Sequence, residues 1–242
     1  MKKAILLCGM LLAASATLAS AAGVNLAWNN CAGDAGVQNI TFACNTNTGN
    51  RGLVGSFVVD GDIPIVNGNE LVVDLQSASA ALPDWWQFTT AGVCRQTALS
   101  IAAHNGANCP DMFEGQASMN IAAYQLAKHG LANEARILCV NAVQAAAVVT
   151  LFAGQEYGIA RWTITNTKTV GSPSCTGCTV PVCIVFNSAS ISDDVAASEV
   201  RLTTAANPGS NYVTWQGGAG TNCPAAVPTR NTTWGSVKSL YR

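Results

Sequence analysis

The sequence predicts an all-β domain, a jelly-roll-like β-sandwich with short helical segments. Its apolar segments are short and are separated by clusters of Gly, Asn, Asp and Pro, which is typical of strands joined by turns. Within these segments apolar and polar residues alternate. Trp162 and Ile164 fall on one face of their segment, and Leu71, Val73 and Leu75 fall on one face of theirs. Many short alternating strands favour a sandwich or barrel.

Eight segments read as strands, and little of the chain reads as helix. The predicted strands are residues 52–59, 70–75, 97–102, 135–143, 157–165, 182–191, 199–203 and 211–215. The Ala-rich residues 117–128 predict a short helix or an irregular excursion, and residues 141–153 include a turn before the next strand. A short C-terminal helix is predicted where Thr233 precedes Trp234, Val237 and Leu240, which recur at i, i+3 and i+6.

The N-terminus predicts export. Lys2 and Lys3 precede an uncharged, mostly apolar run, and Ala19-Ser20-Ala21 supplies a small-x-small cleavage pattern. The run is shorter than the ~20 residues that a spanning helix needs, and no second apolar run of that length follows. We therefore expect a signal peptide at 1–21, a single domain at 22–242, no membrane span after cleavage, and a location in the periplasm, at the cell surface or outside the cell.

The composition argues against nucleic acid as a partner. Only 10% of the residues are charged, and 12 basic residues face 13 acidic ones. Loss of Lys2 and Lys3 with the leader makes the balance more acidic. A nucleic-acid-binding surface needs a concentration of Lys and Arg that this chain lacks. Low charge with abundant Gly, Asn, Thr and Ser is typical of exported β proteins.

Cysteine is the main stabilising device that the sequence reveals. Of the ten cysteines, Cys8 lies in the leader, which leaves nine in the mature domain. Those nine are Cys31, Cys44, Cys94, Cys109, Cys139, Cys175, Cys178, Cys183 and Cys223. An odd number permits at most four disulfides and leaves one thiol. We expect three or four disulfides, as is usual for an exported domain.

The spacing suggests local pairs without settling the connectivity. Cys31 and Cys44 flank a short strand, and Cys94 and Cys109 bracket a strand and a loop, so each pair is a plausible local disulfide. One cysteine of the cluster at 175–183 is expected to reach Cys223. Other pairings stay open, because sequence alone does not determine them.

Cys139 and the motif formed by Cys175 and Cys178 have interpretations other than a structural disulfide. Cys139 lies in an apolar strand and is the candidate free thiol, because an unpaired Cys behaves as a small hydrophobe. Cys175 and Cys178 form a Cys-x-x-Cys motif, but Thr179 replaces the His that haem attachment requires. A redox site and a zinc site that includes Cys183 are weaker alternatives to disulfides in an oxidising compartment.

Adjacent Trp85 and Trp86 are the candidate ligand-binding residues. In an extended strand their rings point to opposite faces, so one ring is expected to be buried and the other exposed or covered by a loop. An exposed Trp on a β face can stack on a sugar ring. The alternative is that both rings pack inside the domain, as large aromatic side chains usually do.

An oxygen-rich stretch suggests a cation site. Asp60 and Asp62 are the candidate metal ligands, with Asn67, Asn69 and Glu70 nearby in the sequence. Calcium prefers oxygen ligands, although the spacing does not match an EF-hand loop. Turn formation by Asp, Asn and Gly is the alternative. No other cofactor is predicted.

Catalytic motifs are absent from the sequence. It contains no Gly-x-Ser-x-Gly elbow, no His-Glu-x-x-His and no phosphate-binding loop, and only two histidines, His104 and His129. Paired carboxylates can hydrolyse glycosides. The candidates for such a pair are Glu70, Glu114, Glu134 and Glu156. Nothing in their spacing places two of them face to face, so a glycoside hydrolase is a weak alternative.

Several segments together resemble a group of secreted bacterial proteins that have a signal peptide and a Cys-rich β-sandwich. They are LAWNNC at 26–31, GSF at 55–57, LPDWWQF at 82–88, KTVG at 168–171, VTWQGG at 213–218 and WGSVKSLY at 234–241. The resemblance implies export, a bacterial source and one β-rich domain, and it implies no activity. The strand pattern is also loosely similar to cohesin-like and carbohydrate-binding β-sandwiches, which implies no site residues.

The sequence thus favours a secreted or cell-surface, non-enzymatic binding or structural protein. One alternative is a carbohydrate-binding module that uses Trp85 or Trp86. Another is a subunit of an extracellular assembly, joined through the odd cysteine or an open sheet edge. The expected partners are a polysaccharide or another surface protein.

Overall fold

The computed structural model describes residues 21–103, 106–193, 198–218 and 223, and it shows two β-sheets packed face to face. The first strands are β1 (Gly23–Trp28), β2 (Asn39–Ile40), β3 (Asn50–Val58), β4 (Ile63–Ser77), β5 (Leu99–Ala102) and β6 (Ser118–Leu126). The others are β7 (Glu134–Ala142), β8 (Val149–Leu151), β9 (Glu156–Thr165), β10 (Val182–Asp193), β11 (Ser198–Leu202) and β12 (Tyr212–Trp215). Short 3-10 turns lie at Asp84–Trp86, Lys128–Gly130, Ala145–Ala147 and Gln216–Gly218.

The two sheets differ in size. The small sheet has the order β1-β3-β9-β5. The large sheet has the order β2-β12-β10-β4-β7-β6, with β11 added to β10 and β8 added to β4. Strand pairs are antiparallel apart from the short parallel contact of β12 with β2. The long strands β4 and β10 pair with each other and with most of the other strands of the large sheet, so they form its centre.

The core lies between the sheets, as the alternation predicted. Trp162 and Ile164 of β9 and the Leu71, Val73 and Leu75 side chains of β4 are all buried in one cluster. The Trp162 ring lies edge-on to a β10 phenylalanine, with 6.2 Å between the ring centroids, and so joins the small sheet to the large one. The predicted fold class, a β-sandwich with little helix, is confirmed.

Residues 117–128 do not form the predicted helix. Most of this segment is the edge strand β6, which pairs with β7 from Ser118↔Ala142 to Leu126↔Ala135. Alanine favours a helix in isolation, but strand pairing in the folded protein overrides that weak preference. The second Ala-rich region contains only the 3-10 turn Ala145–Ala147 before β8. The predicted signal peptide and C-terminal helix lie outside the described residues.

Four disulfides connect distant parts of the chain. The pairs are Cys31–Cys109, Cys44–Cys178, Cys94–Cys175 and Cys183–Cys223. The two local pairs suggested by the spacing, 31 with 44 and 94 with 109, are wrong, because those cysteines pair across 78 to 134 residues instead. The expected link from the 175–183 cluster to Cys223 is present. Four disulfides indicate an oxidising environment outside the cytoplasm.

Helices give no sign of a membrane span in the described part of the chain. None of the described helical segments has the length and apolar character needed to cross a bilayer.

Cys139 is the cysteine without a disulfide, and it is fully buried. The Trp162 Nε1–H donates to its sulfur at 3.4 Å. Burial raises the pKa of the Cys139 thiol to about 12, although this hydrogen bond acts in the opposite direction. At neutral pH the group is therefore a protonated thiol packed in the core, which makes it inert.

We expect the native mature protein to show no thiol that reacts with Ellman's reagent at pH 8. Unfolding in guanidinium chloride without a reductant should expose one thiol per chain, because Cys139 is then solvated. A chain that retained Cys8 would show two. A larger number would contradict the four disulfides.

Candidate functional site

Trp85 and Trp86 lie in the 3-10 turn Asp84–Trp86, and neither ring reaches the surface. Both side chains are 0% exposed. Stacking on a sugar requires an open ring face, so the structure corrects the interpretation of these residues as a sugar platform. The turn replaces the extended backbone on which the prediction depended, and both rings point inward.

The two tryptophans instead belong to an aromatic cluster at one end of the core. Trp85 and Trp86 lie 5.0 Å apart between ring centroids, and Trp215 of β12 lies 5.0 and 5.4 Å from them. Trp28 of β1 contacts Trp215 at 6.1 Å and so connects the cluster to the small sheet. Tilted and edge-on ring pairs of this kind stabilise a core beyond the area that they bury.

Arg95 lies in the loop after the turn Asp84–Trp86 and packs against this aromatic cluster. Its guanidinium carbon lies 3.6 Å from the centre of a Trp85 ring, which is a close cation–π contact. Its nitrogens donate to the carbonyl oxygens of Trp85, Thr165 and Thr167. Burial lowers the pKa of Arg95 to about 9, so the group keeps its positive charge at neutral pH. The loop is thereby fixed to the end of β9.

Asp60 and Asp62 lie in the exposed turn between β3 and β4. The Asp62 Oδ1 accepts a hydrogen bond from the Ala153 N–H at 2.8 Å, which connects this turn to the loop after β8. No group of three or more His, Cys, Asp or Glu side chains is placed to hold a metal within the described residues. A calcium site here stays a prediction.

Two of the carboxylates named for glycoside hydrolysis, Glu70 and Glu134, lie far apart. Glu156 belongs to the small sheet, where it accepts hydrogen bonds from Asn25, Ser56 and Gly33. Glu70 and Glu134 both belong to the large sheet, but six residues of register separate them, or about 20 Å along the strands. That separation exceeds the roughly 5–10 Å that glycosidases use.

A polar network occupies one part of the outer face of the large sheet, the face turned away from the small sheet. Arg136 of β7 donates two hydrogen bonds of 2.7 Å to the Asp74 carboxylate of β4. The Asn187 side chain donates to the same carboxylate at 2.5 Å. Hydrogen bonding to Asp74 raises the pKa of Arg136. This is the bidentate geometry that makes an Arg–carboxylate pair strong.

His129 joins the same network with both ring nitrogens engaged. Arginine can only donate, so the His129 Nε2 accepts from the Arg136 Nη2 at 3.2 Å. The Nδ1 then carries the proton and donates to the Glu134 Oε2 at 3.1 Å. Both ring nitrogens therefore have partners in the protein, and neither is free for a substrate. The network therefore holds the turn at Lys128–Gly130 against the sheet.

An open cleft crosses the outer face farther along the strands. One part of it has a volume of about 440 Å³ and lies over β4, β10 and β11. The other has a volume of about 510 Å³ and lies over β6, the end of β7 and the turn Ala145–Ala147. Both parts are lined by Ala142 and Val143, so they adjoin at these two residues. We call the depression lined by Glu70, Ala142, Gln144, Ser190, Glu199 and Arg201 the outer cleft.

The strand register gives the outer cleft a floor of small side chains. Ser192 pairs with Gly68, Gly68 with Ala142, and Ala142 with Ser118, so one row of small residues crosses four strands. A Cβ atom at Gly68 would lie 3.0 Å from the Asn141 carbonyl oxygen, so glycine keeps the floor low at its centre. The row spans about 15 Å at the usual strand spacing.

Charged groups without partners stand beside this floor. Ser190 pairs with Glu70 on one side and Arg201 on the other, which places those two Cα atoms about 10 Å apart. Glu70, Arg201 and Glu199 are exposed. Their side chains make no ion pair or hydrogen bond with any described residue. Their hydrogen-bonding capacity is therefore available to a ligand.

Sequence reasoning named Glu70 only as a possible metal ligand or acid and missed the rest of the outer cleft. A signal was present, because Ser188, Ser190 and Ser192 alternate with Ala189 and Ile191 and so mark a small polar face on β10. The residues that lie beside those serines could not be predicted, because they come from β4, β7 and β11, which are distant in the sequence.

Comparisons with known proteins give no family for this chain. No family model matches it, and no curated protein matches it. The chain is similar to AvmM, which catalyses macrocyclisation in alchivemycin A biosynthesis, with a TM-score of 0.31 and 8% identity over 79% of this chain and 92% of that one. It is also similar to the unique CBM3 of Hungateiclostridium clariflavum, with a TM-score of 0.29 and 11% identity over 76% and 99%. Likenesses this distant carry no argument about function.

Proposed function

We propose that this is a secreted, non-enzymatic binding protein that holds a hydroxyl-rich polymer, a polysaccharide, in the outer cleft. The export signal in the sequence and the four disulfides support a role outside the cytoplasm. The absence of catalytic motifs from the sequence and the separation of Glu70 from Glu134 support binding without turnover.

The observation that carries the proposal is the outer cleft, whose two parts adjoin, with its unpartnered charged side chains. Its two parts, about 440 and 510 Å³, fall in the range of ligand-binding sites. Glu70 and Glu199 accept hydrogen bonds and Arg201 donates them, so a ligand with many hydroxyl groups can satisfy all three. The low floor leaves room for an extended chain across the strands. Recognition would thus depend on hydrogen bonding, and the buried Trp85 and Trp86 would take no part.

The test is binding of the purified protein to a glycan array and to soluble polysaccharides in affinity electrophoresis. Ala142→Trp fills the middle of the outer cleft and is expected to weaken binding by at least about tenfold, since it removes bound length and displaces the ligand. Glu70→Ala should weaken it several-fold, because a charge-assisted hydrogen bond is lost.

Ser100→Trp is the matched control, because Ser100 is exposed on β5 of the small sheet. It should bind like the wild type. Full binding by Ala142→Trp would place the ligand elsewhere, and turnover of a bound glycan would contradict a non-enzymatic role.

A second candidate function is that of a subunit in an extracellular assembly. Cys139 does not support it, because this thiol is buried in the core and cannot join two chains. The edge strand β6 does support it. Its nine residues contain no charged residue or proline, which are common protections against edge-to-edge pairing. A monomer in light scattering at high concentration would remove this candidate.

A further inference from the structure

The outer face of the large sheet carries an apolar strip next to the outer cleft. Val72 of β4 pairs with Leu138 of β7, and Val140 lies two residues farther along β7. These side chains point away from the core, because the alternating Val73, Cys139 and their neighbours fill it. Val140 is 39% exposed, and the other two are half-buried. The solvent-facing side of an antiparallel sheet is normally polar, so this apolar strip is a surface on which another segment can pack. We call Val72, Leu138 and Val140 the outer strip.

The C-terminal part of the chain starts on the same face. Cys223 is bonded to Cys183 of β10, with their Cα atoms 5.4 Å apart. Cys183, Val185 and Cys223 form a small cluster separate from the main core, which places this disulfide on the outer face. Val185 pairs with Asp74, two residues from Val72 on β4. Cys223 therefore lies about 15 Å from the outer strip.

Residues 224–242 have the length and the chemistry to cover the strip. A segment of this size reaches about 60 Å when extended and about 28 Å as a helix, so it can cross from β10 to β7 in either form. Trp234, Val237 and Leu240 recur at the spacing of one helical face. These three apolar side chains can cover the three partly exposed aliphatic side chains of the outer strip.

Charge favours the same docking. Residues 224–242 contain Arg230, Lys238 and Arg242 and no Asp or Glu. On the described outer face, Asp74 and Glu134 are buried and paired with Arg136 and His129. Beside the outer cleft, the exposed Glu70 and Glu199 outnumber Arg201. This local excess of negative charge favours a basic segment.

We propose that residues 224–242 of the same chain pack across the outer face of the large sheet, with Trp234, Val237 and Leu240 on the outer strip. In this position the segment shields Val72, Leu138 and Val140 from water. This docking does not depend on the ligand of the cleft. It gives the Cys183–Cys223 disulfide a further role, since the bond starts the segment on the correct face.

The test is limited trypsin digestion of the oxidised protein, with cleavage after Arg230 and Lys238 followed by mass spectrometry. Val140→Asp puts a charge in the outer strip and is expected to speed both cleavages by about tenfold, because the segment then leaves the sheet more often. Ser100→Asp makes a matched change on the exposed side of β5 and should digest like the wild type. Equal cleavage of the wild type and Val140→Asp would overturn the proposal.

A chain truncated after Cys223 provides a second measurement that keeps all four disulfides. It should bind more of a hydrophobic dye than the full chain and should exchange the β7 amide hydrogens faster, because the outer strip is uncovered. Unchanged dye binding and exchange would overturn the proposal. Protection of Arg230 and Lys238 in a particle that light scattering shows to be a dimer would also overturn it, since the segment would then dock on a second copy.

Discussion

Replacing Arg95 with methionine is expected to lower the free energy of unfolding by about 3–5 kcal/mol. Arg95 is only 2% exposed, and its guanidinium donates to three carbonyl oxygens. Methionine fills part of the volume but leaves those oxygens without a donor in a buried site. It also removes the cation over Trp85. The measurement is urea unfolding at pH 7 followed by tryptophan fluorescence, with the disulfides intact.

Two variants separate the role of Arg95 from a general effect of removing an arginine. Arg161→Met is the matched control, because Arg161 is partly exposed and, among the described residues, its side chain donates two long hydrogen bonds of 3.4 Å to the Asn29 and Gly106 carbonyl oxygens. It should cost less than about 1 kcal/mol. Arg95→Lys should lie between, since an ammonium cannot reproduce the planar fork. Equal losses for Arg95→Met and Arg161→Met would contradict the proposed support of the aromatic cluster.

Reduction of the four disulfides is expected to unfold the domain at 25 °C. Each closes a long loop of 40 to 134 residues, and a disulfide of this kind contributes about 2–4 kcal/mol. Four such contributions are comparable with the roughly 5–15 kcal/mol that holds a typical domain folded. Near-ultraviolet circular dichroism in dithiothreitol measures the outcome, since the buried tryptophans lose their fixed environment.

The order of reduction should follow accessibility. Cys44 and Cys94 are half-buried, so the bonds that they form are expected to react before the Cys183–Cys223 bond, in which Cys183 is fully buried. Alkylation at successive times with peptide mapping gives this order. A reduced protein that kept its near-ultraviolet spectrum and a cooperative melt within a few degrees would show that the core alone suffices.

The sequence predicted the parts of this structure that depend on local pattern. Alternation around Trp162 and along Leu71, Val73 and Leu75 identified the buried faces of β9 and β4, because successive side chains on a strand point to opposite sides. The odd number of cysteines and the apolar surroundings of Cys139 identified the thiol that is left unpaired. These inferences needed no knowledge of which strands are neighbours.

The tertiary structure decided everything that depends on distant residues. It paired Cys31 with Cys109 and Cys44 with Cys178, and spacing in the sequence holds no record of such contacts. It converted the Ala-rich segment at 117–128 into the edge strand β6, because pairing with β7 outweighs local helix preference.

By itself, then, the sequence determined a disulfide-bonded β-sandwich and predicted its export, since composition and strand period are local properties of the chain. Only the fold buried Trp85 and Trp86, and only the fold brought Glu70, Arg201 and Ala142 to one outer cleft. The physical reason is sheet topology. The order β11-β10-β4-β7-β6 places residues side by side that lie more than a hundred positions apart in the sequence, and single-strand patterns do not specify that order.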